Sequence, residues 1–163
     1  MINEKIERAF NKQLNEEAKS AYIYLSMAAY FESINLKGFA HWMTVQAQEE
    51  VKHAMKFYSH ILERGGKVRL EQIDKPSQEW SSPLAAFETA YKHECYITDC
   101  INGLVKTARE ANDHPAEIFL NWFVEEQVEE EASADEVVQK LKMTKDSTNG
   151  LLMLDKELAA RKE

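Results

Sequence analysis

With 163 residues, a formal net charge of -8 and no cluster of Lys or Arg, the chain offers nothing to nucleic acid, and cations are its expected guests. Five Gly, three Pro and a lack of β-branched runs argue for an all-α fold, and no shift in composition divides residues 1–163, which are read as one domain. No apolar run resembles a signal peptide or a membrane span, so a cytoplasmic location without a membrane partner is expected.

Asn3 caps a helix expected over about 3–33, with Glu4 and Glu7 near its positive end and Ile6, Phe10, Leu14, Ala21, Tyr24, Ala28 and Phe31 along one face. A second helix, about 37–64, turns Phe39, Met43, Ala54, Phe57 and Ile61 inward and stops at Gly65-Gly66, so the two form an antiparallel hairpin. Residues 65–82 lose this periodicity: Val68 and Leu70 alternate with charges, Pro76 interrupts, and Trp80 can anchor the segment. Extended, the segment reaches about 60 Å, whereas a helix of about 28 residues spans about 42 Å. It can therefore cross the whole length of a bundle.

Ser82-Pro83 opens a third helix, about 83–111, marked by Leu84, Phe87, Tyr91, Ile97, Ile101 and Leu104. After the break Asn112-Asp113-His114-Pro115 a fourth, about 115–144, carries Ile118, Phe119, Trp122, Phe123, Val137 and Leu141 inward. A short fifth, about 148–161, places Leu151, Leu154 and Leu158 together. The expected architecture is a four-helix bundle of two hairpins joined by one long crossover, followed by a fifth helix.

The two hairpins share a hidden spacing. Glu50 and His53 lie 33 and 36 residues after Glu17, and Gln127 and Glu130 lie 33 and 36 residues after Glu94, an offset of 77 that also carries Glu49 onto Glu126. Residues seven away share a helical face, and those flanking the four glutamates are apolar: Phe10 and Tyr24, Met43 and Phe57, Phe87 and Ile101, Phe123 and Val137. Four carboxylates buried together cost several kcal/mol each unless protons or cations accompany them. Two divalent ions cancel the four charges, with His53 and Gln127 as neutral ligands, and this donor set suits iron or manganese, tolerates zinc, and is less natural for magnesium or calcium. Cys95 and Cys100, five apart on one helix, suit neither a disulfide nor a metal knuckle and read as reduced packing residues. His41, His60, His93 and His114 have no convergent partners and are not read as ligands.

Four stretches are more specific still: Glu17 with Ser20-Ala21-Tyr22-Ile23-Tyr24-Leu25-Ser26-Met27; Gln48-Glu49-Glu50-x-x-His53-Ala54; Tyr91-Lys92-His93-Glu94; and Phe119-Leu120-x-Trp122-Phe123-Val124-x-Glu126-Gln127-Val128-Glu129-Glu130-Glu131. On these the chain resembles the ferritin family, specifically its haem-free prokaryotic subunits, over essentially its whole length. The resemblance implies a ferritin-like four-helix bundle with a dinuclear ferroxidase centre. Glu17, Glu50 and His53 would bind one iron, Glu50, Glu94 and Glu130 the other, with Glu50 bridging. Gln127 would lie on the oxygen side, and Tyr24 would be a hydrogen-bonding or redox partner. Glu49, Glu126, Glu129 and Glu130 resemble a third iron site leading outward. The implied substrates are Fe(II) with O2 or peroxide, and the implied assembly is a homo-oligomeric shell of 24 subunits that stores ferric oxyhydroxide.

Val51 stands where haem-binding relatives place a methionine, so no haem is expected. Gln127-x-x-Glu130 replaces a second Glu-x-x-His, and no Cys-x-x-Cys pair is present, which weakens a peroxidase reading. Ala18-Lys19 after Glu17 is more polar than the family pattern. A di-iron oxidase or peroxide-consuming bundle that stores nothing remains the alternative, with a partner-binding bundle carrying vestigial ligands behind it.

Overall fold

The computed structural model describes residues 1–162; residue 163, the last of the stretch expected to form one domain, lies outside the described residues. Five helices follow one another, α1 (Glu4–Ser33), α2 (Lys37–Glu63), α3 (Pro83–Glu110), α4 (His114–Thr144) and α5 (Thr148–Leu158), with no strand among the described residues. The all-α class is thus the one observed, with two long helical hairpins followed by a short fifth helix. Asn3 and Ser82 cap α1 and α3 with their side chains, as their sequence positions predict.

Both hairpin turns use one device. Asn35 and Asn112, 77 residues apart, sit at φ 60° and φ 51°, in the left-handed region where Asn is among the few tolerated side chains. Leu36 N–H returns to the Phe31 carbonyl, and Asp113 N–H to the Ala108 carbonyl, each at 3.0 Å. The offset that relates the two ligand sets therefore relates the two turns.

The crossover runs beside α1 and is held by asparagine side chains acting as a substitute strand. Asn11 Nδ2 donates to the Lys67 carbonyl (2.9 Å) while its Oδ1 accepts from Arg69 N–H (2.6 Å). Asn15 repeats the pair with the Arg69 carbonyl and Glu71 N–H, both at 2.8 Å. Trp80 closes the segment by edge packing on Tyr30, 5.3 Å between centroids. Contacts such as Lys5 with Glu110 and Tyr24 with Glu94 set α1 antiparallel to α3. Gln46 with Glu130 and Phe57 with Phe123 set α2 antiparallel to α4.

The fifth helix supplies what α2 lacks. Leu36 cannot cap α2, and Asp155 of α5 accepts instead from Gly38 N–H (2.8 Å) and Phe39 N–H (3.1 Å). A Cβ on Gly38 would fall 1.7 Å from the Asp155 carbonyl oxygen, so only glycine admits this approach. α5 ends at Leu158, and a turn over 159–161 replaces the last residues of the expected helix. Ile118, expected on the inner stripe of α4, is 71% exposed; Ala116 and Leu120 take the inward positions instead.

The core divides in two. One apolar cluster gathers Tyr24, Met27, Phe31, Phe39, Met43 and Phe87, and the other gathers Ile6, Phe10, Phe57, Ile97, Ile101 and Phe123. Between them lies a layer of polar side chains.

Candidate metal centre

That layer is made by Glu17 from α1, Glu50 and His53 from α2, Glu94 from α3, and Gln127 and Glu130 from α4, each between 1% and 4% exposed. The heptad neighbours of the four glutamates pack in the two apolar clusters, so the helices that build the core also carry these carboxyls inside. One ligand atom each of Glu17, Glu50 and His53 falls within 4.8 Å of the others, and the same holds for His53, Glu126 and Glu130. His53 joins the two groups: Nδ1 lies 3.4 Å from Glu50 Oε2, and Nε2 lies 3.7 Å from Glu126 Oε1.

The carboxylates are steered by donors on neighbouring positions. Gln13 Nε2 donates to Glu17 Oε1 (2.9 Å), and Gln46 Nε2 donates both to Glu50 Oε1 (3.1 Å) and to Glu130 Oε2 (2.7 Å). The Tyr24 hydroxyl donates to Glu94 Oε1, and Gln127 Nε2 reaches the Glu94 carbonyl and Oε2 at 3.2 and 3.3 Å. Glu17 Oε2 remains buried without any partner. A buried carboxylate oxygen with no donor costs on the order of 1–3 kcal/mol, and a cation facing Glu50 and His53 would satisfy it.

Electrostatics agree with the geometry. Burial above all, then the charge of Glu50, raises Glu17 well above the ordinary carboxyl range. Burial, then Glu94 and Glu130, does the same to Glu50. Burial pushes Glu94 up to about 7, against the opposing hydrogen bonds from Tyr24 and Gln127, and pushes Glu130 up to about 8, with Glu94 adding to it. Burial and the charges of Glu94 and Glu50 likewise raise the Tyr24 hydroxyl, which keeps it a proton donor. Without a cation, therefore, the layer holds protons at neutral pH, and divalent ions must displace them.

The outward residues separate. Glu126 is half-buried and joins His53 and Glu130, Glu49 is half-buried but paired with Arg161 at 2.6 Å, and Glu129 is exposed and in no ligand group among the described residues. Sequence reasoning missed Gln13 and Gln46, although each stands four residues before a ligand glutamate and so on the same helical face. It also passed over His93. That imidazole sits 2.7 Å from Ser20 Oγ and edge-on to Tyr24, and burial lowers it to about 4.

A family model for the ferritin-like domain matches residues 7–144. The chain is 40% identical over 161 residues to a bacterial non-heme ferritin of Bacteroides fragilis, covering 99% of this chain and all of that one. It is 37% identical to its counterpart in Staphylococcus epidermidis, covering 99% and 97% of the two chains. Among solved structures, an open-pore ferritin from the hyperthermophilic archaeon Archaeoglobus fulgidus superposes with a TM-score of 0.98 at 52% identity, over 99% of this chain and 100% of that one.

Proposed function

The chain belongs to the ferritin family, and from that membership we infer that it oxidises Fe(II) with O2 in the buried layer and stores the ferric product. The observation that carries this reading is the layer itself: four glutamates, an imidazole and an amide, all buried, between two apolar halves that exclude bulk water.

Glu17 and His53 would hold one Fe(II) and Glu94 and Glu130 the other, with Glu50 between them. The four carboxylates offset two divalent charges once their protons have left. Gln13, Gln46 and Gln127 keep the oxygens aimed inward. Tyr24 keeps its own proton and donates it in a hydrogen bond to Glu94 Oε1. Two Fe(II) together give two electrons to one O2, which takes up two protons and leaves as H2O2, and hydrolysis of the two Fe(III) by water yields oxyhydroxide and releases protons. Exposure then rises from Glu130 through Glu126 to Glu129, a graded carboxylate route outward. This grading favours storage over a non-storing oxidase, which would have no use for it.

Residues 1–163 are taken as one domain that assembles into a homo-oligomeric shell of 24 copies. Tyr22, Leu25, Val51, Met55 and Leu70, between 47% and 73% exposed along the α1–α2 side, supply apolar surface for subunit contacts. No helix among the described residues is long and apolar enough to cross a membrane, and the free thiols of Cys95 and Cys100 suit a cytoplasmic location. The test is aerobic Fe(II) loading of the metal-free protein followed by sizing and iron analysis of one sample. Iron co-eluting with a particle of 24 chains is expected; rapid oxidation by a dimer that retains no iron would overturn storage.

A further inference from the structure

Arg161 follows α5 by three residues and folds back onto α2. Its guanidinium lies over the Trp42 ring at 4.2 Å, with Nη1 donating to the Trp42 carbonyl (3.3 Å). Nη2 donates to both Gln46 Oε1 (2.8 Å) and Glu49 Oε2 (2.6 Å), and the Arg161 carbonyl accepts from His41 Nε2 (2.8 Å). Residues 42, 46 and 49 form one stripe of α2, so a single planar fork spans it. The side chain is 19% exposed and Glu49 27%, which makes this a partly desolvated pair rather than a loose surface bridge.

We propose that Arg161 is a tethered counter-cation at the outer end of the centre, holding Glu49 until a metal ion displaces it and fixing the orientation of Gln46. The second role follows from amide chemistry. With its oxygen occupied by Arg161, Gln46 can offer only its NH2 to Glu50 and Glu130, whereas a flipped amide would set lone pair against carboxylate once metal ions have displaced the layer's protons. The guanidinium thus connects an outer carboxylate to two ligands of the dinuclear centre. A cation arriving at Glu49 competes with one already there, so the outer position fills only after the inner two. This rests on reading the buried layer as a two-ion centre.

Calorimetric titration of the assembled, metal-free protein with Co(II), a stand-in for Fe(II) stable in air, separates the two readings. Wild type, R161Q and R161K are each expected to take two tight ions per chain. A third should bind roughly fivefold tighter to R161Q, the equivalent of about 1 kcal/mol of lost competition. R161K keeps the charge and should stay within about twofold of wild type. The third equivalent should also change Trp42 fluorescence in wild type but not in R161Q, with W42F identifying the signal. An unchanged third step in R161Q, or R161K behaving like R161Q, would overturn the counter-cation while leaving the centre intact. Failure of wild type to take two tight ions would overturn the centre itself, and this inference with it.

Discussion

The α1–α2 and α3–α4 hairpins have matching turns and different chemistry. Under the offset of 77, Phe10 and Phe87 are both fully buried, Asn35 and Asn112 share the left-handed turn, and Glu17 corresponds to Glu94. The donors do not correspond: Gln13 and Gln46 become Ala90 and Phe123, Glu50 becomes Gln127, and His53 becomes Glu130. The first hairpin thus brings two steering amides, Gln13 and Gln46, and the imidazole, whereas the second brings one amide, Gln127, and the Glu126–Glu130 pair of carboxylates beside His53. The turns differ in capping too. Asp113 caps α4 locally, accepting from Ala116 N–H and from Arg64, whereas α2 relies on Asp155 of α5. A repeated backbone can carry an asymmetric site because the turns need only backbone bonds and an Asn, while the ligands depend on single side chains.

The strongest way to break the comparison is to remove the residue between the two halves. Glu50→Ala should slow initial Fe(II) oxidation at low iron loading by more than about 100-fold, beyond the usual loss from an outer-sphere partner. It should also raise the melting temperature of the metal-free protein, since one buried carboxyl is gone. An unchanged initial rate would remove Glu50 from the centre.

Next come the donors special to the first hairpin. Gln46→Leu strips a hydrogen bond from both Glu50 and Glu130 and should weaken binding of the two inner ions by about 10- to 100-fold. Gln13→Leu touches only Glu17 and should cost less. Equal losses would mean that the bridging position of Gln46 has no special weight.

The pH dependence probes the second hairpin. Glu94 and Glu130 keep their protons up to about 7 and about 8 when folded, whereas an unfolded carboxyl has lost its proton above about 4.5. The folded chain binds more protons in that window. The contribution of these two carboxyls to the stability of the metal-free protein should therefore be full below about 4.5 and decline as pH rises toward 8. Saturating metal should flatten the slope, which melting curves at several pH values would reveal.

The smallest effect tests the equivalence of the turns. Asn35→Ala and Asn112→Ala should each cost about 1 kcal/mol, because alanine pays the left-handed penalty that asparagine partly offsets. Denaturant titration of the metal-free protein should find the two costs alike; a large difference would mean that the turns match in shape but not in energy.

Much of this was legible beforehand, for local reasons. Helical faces repeat every three or four residues, so Phe10, Glu17 and Tyr24 declare a shared face from spacing alone, and apolar flanks mark the glutamates as inward. Asn3, Ser82 and Gly65 punctuate helices through their immediate neighbours. Ile118 misled because a helix start is crowded with equally plausible apolar residues, and only packing picks Ala116 and Leu120.

The sequence by itself determined the helices, the hairpins and which carboxylates face inward, since each depends on residues close along the chain or on their regular spacing. Tertiary structure alone decided that Asn11 and Asn15 hold the crossover, that Asp155 caps α2, that Gln46 of α2 reaches Glu130 of α4, and that Arg161 takes Glu49 from the outer acidic group. Those contacts join residues far apart in sequence. Their partners are set by where helices cross and chain segments return, which no local periodicity encodes.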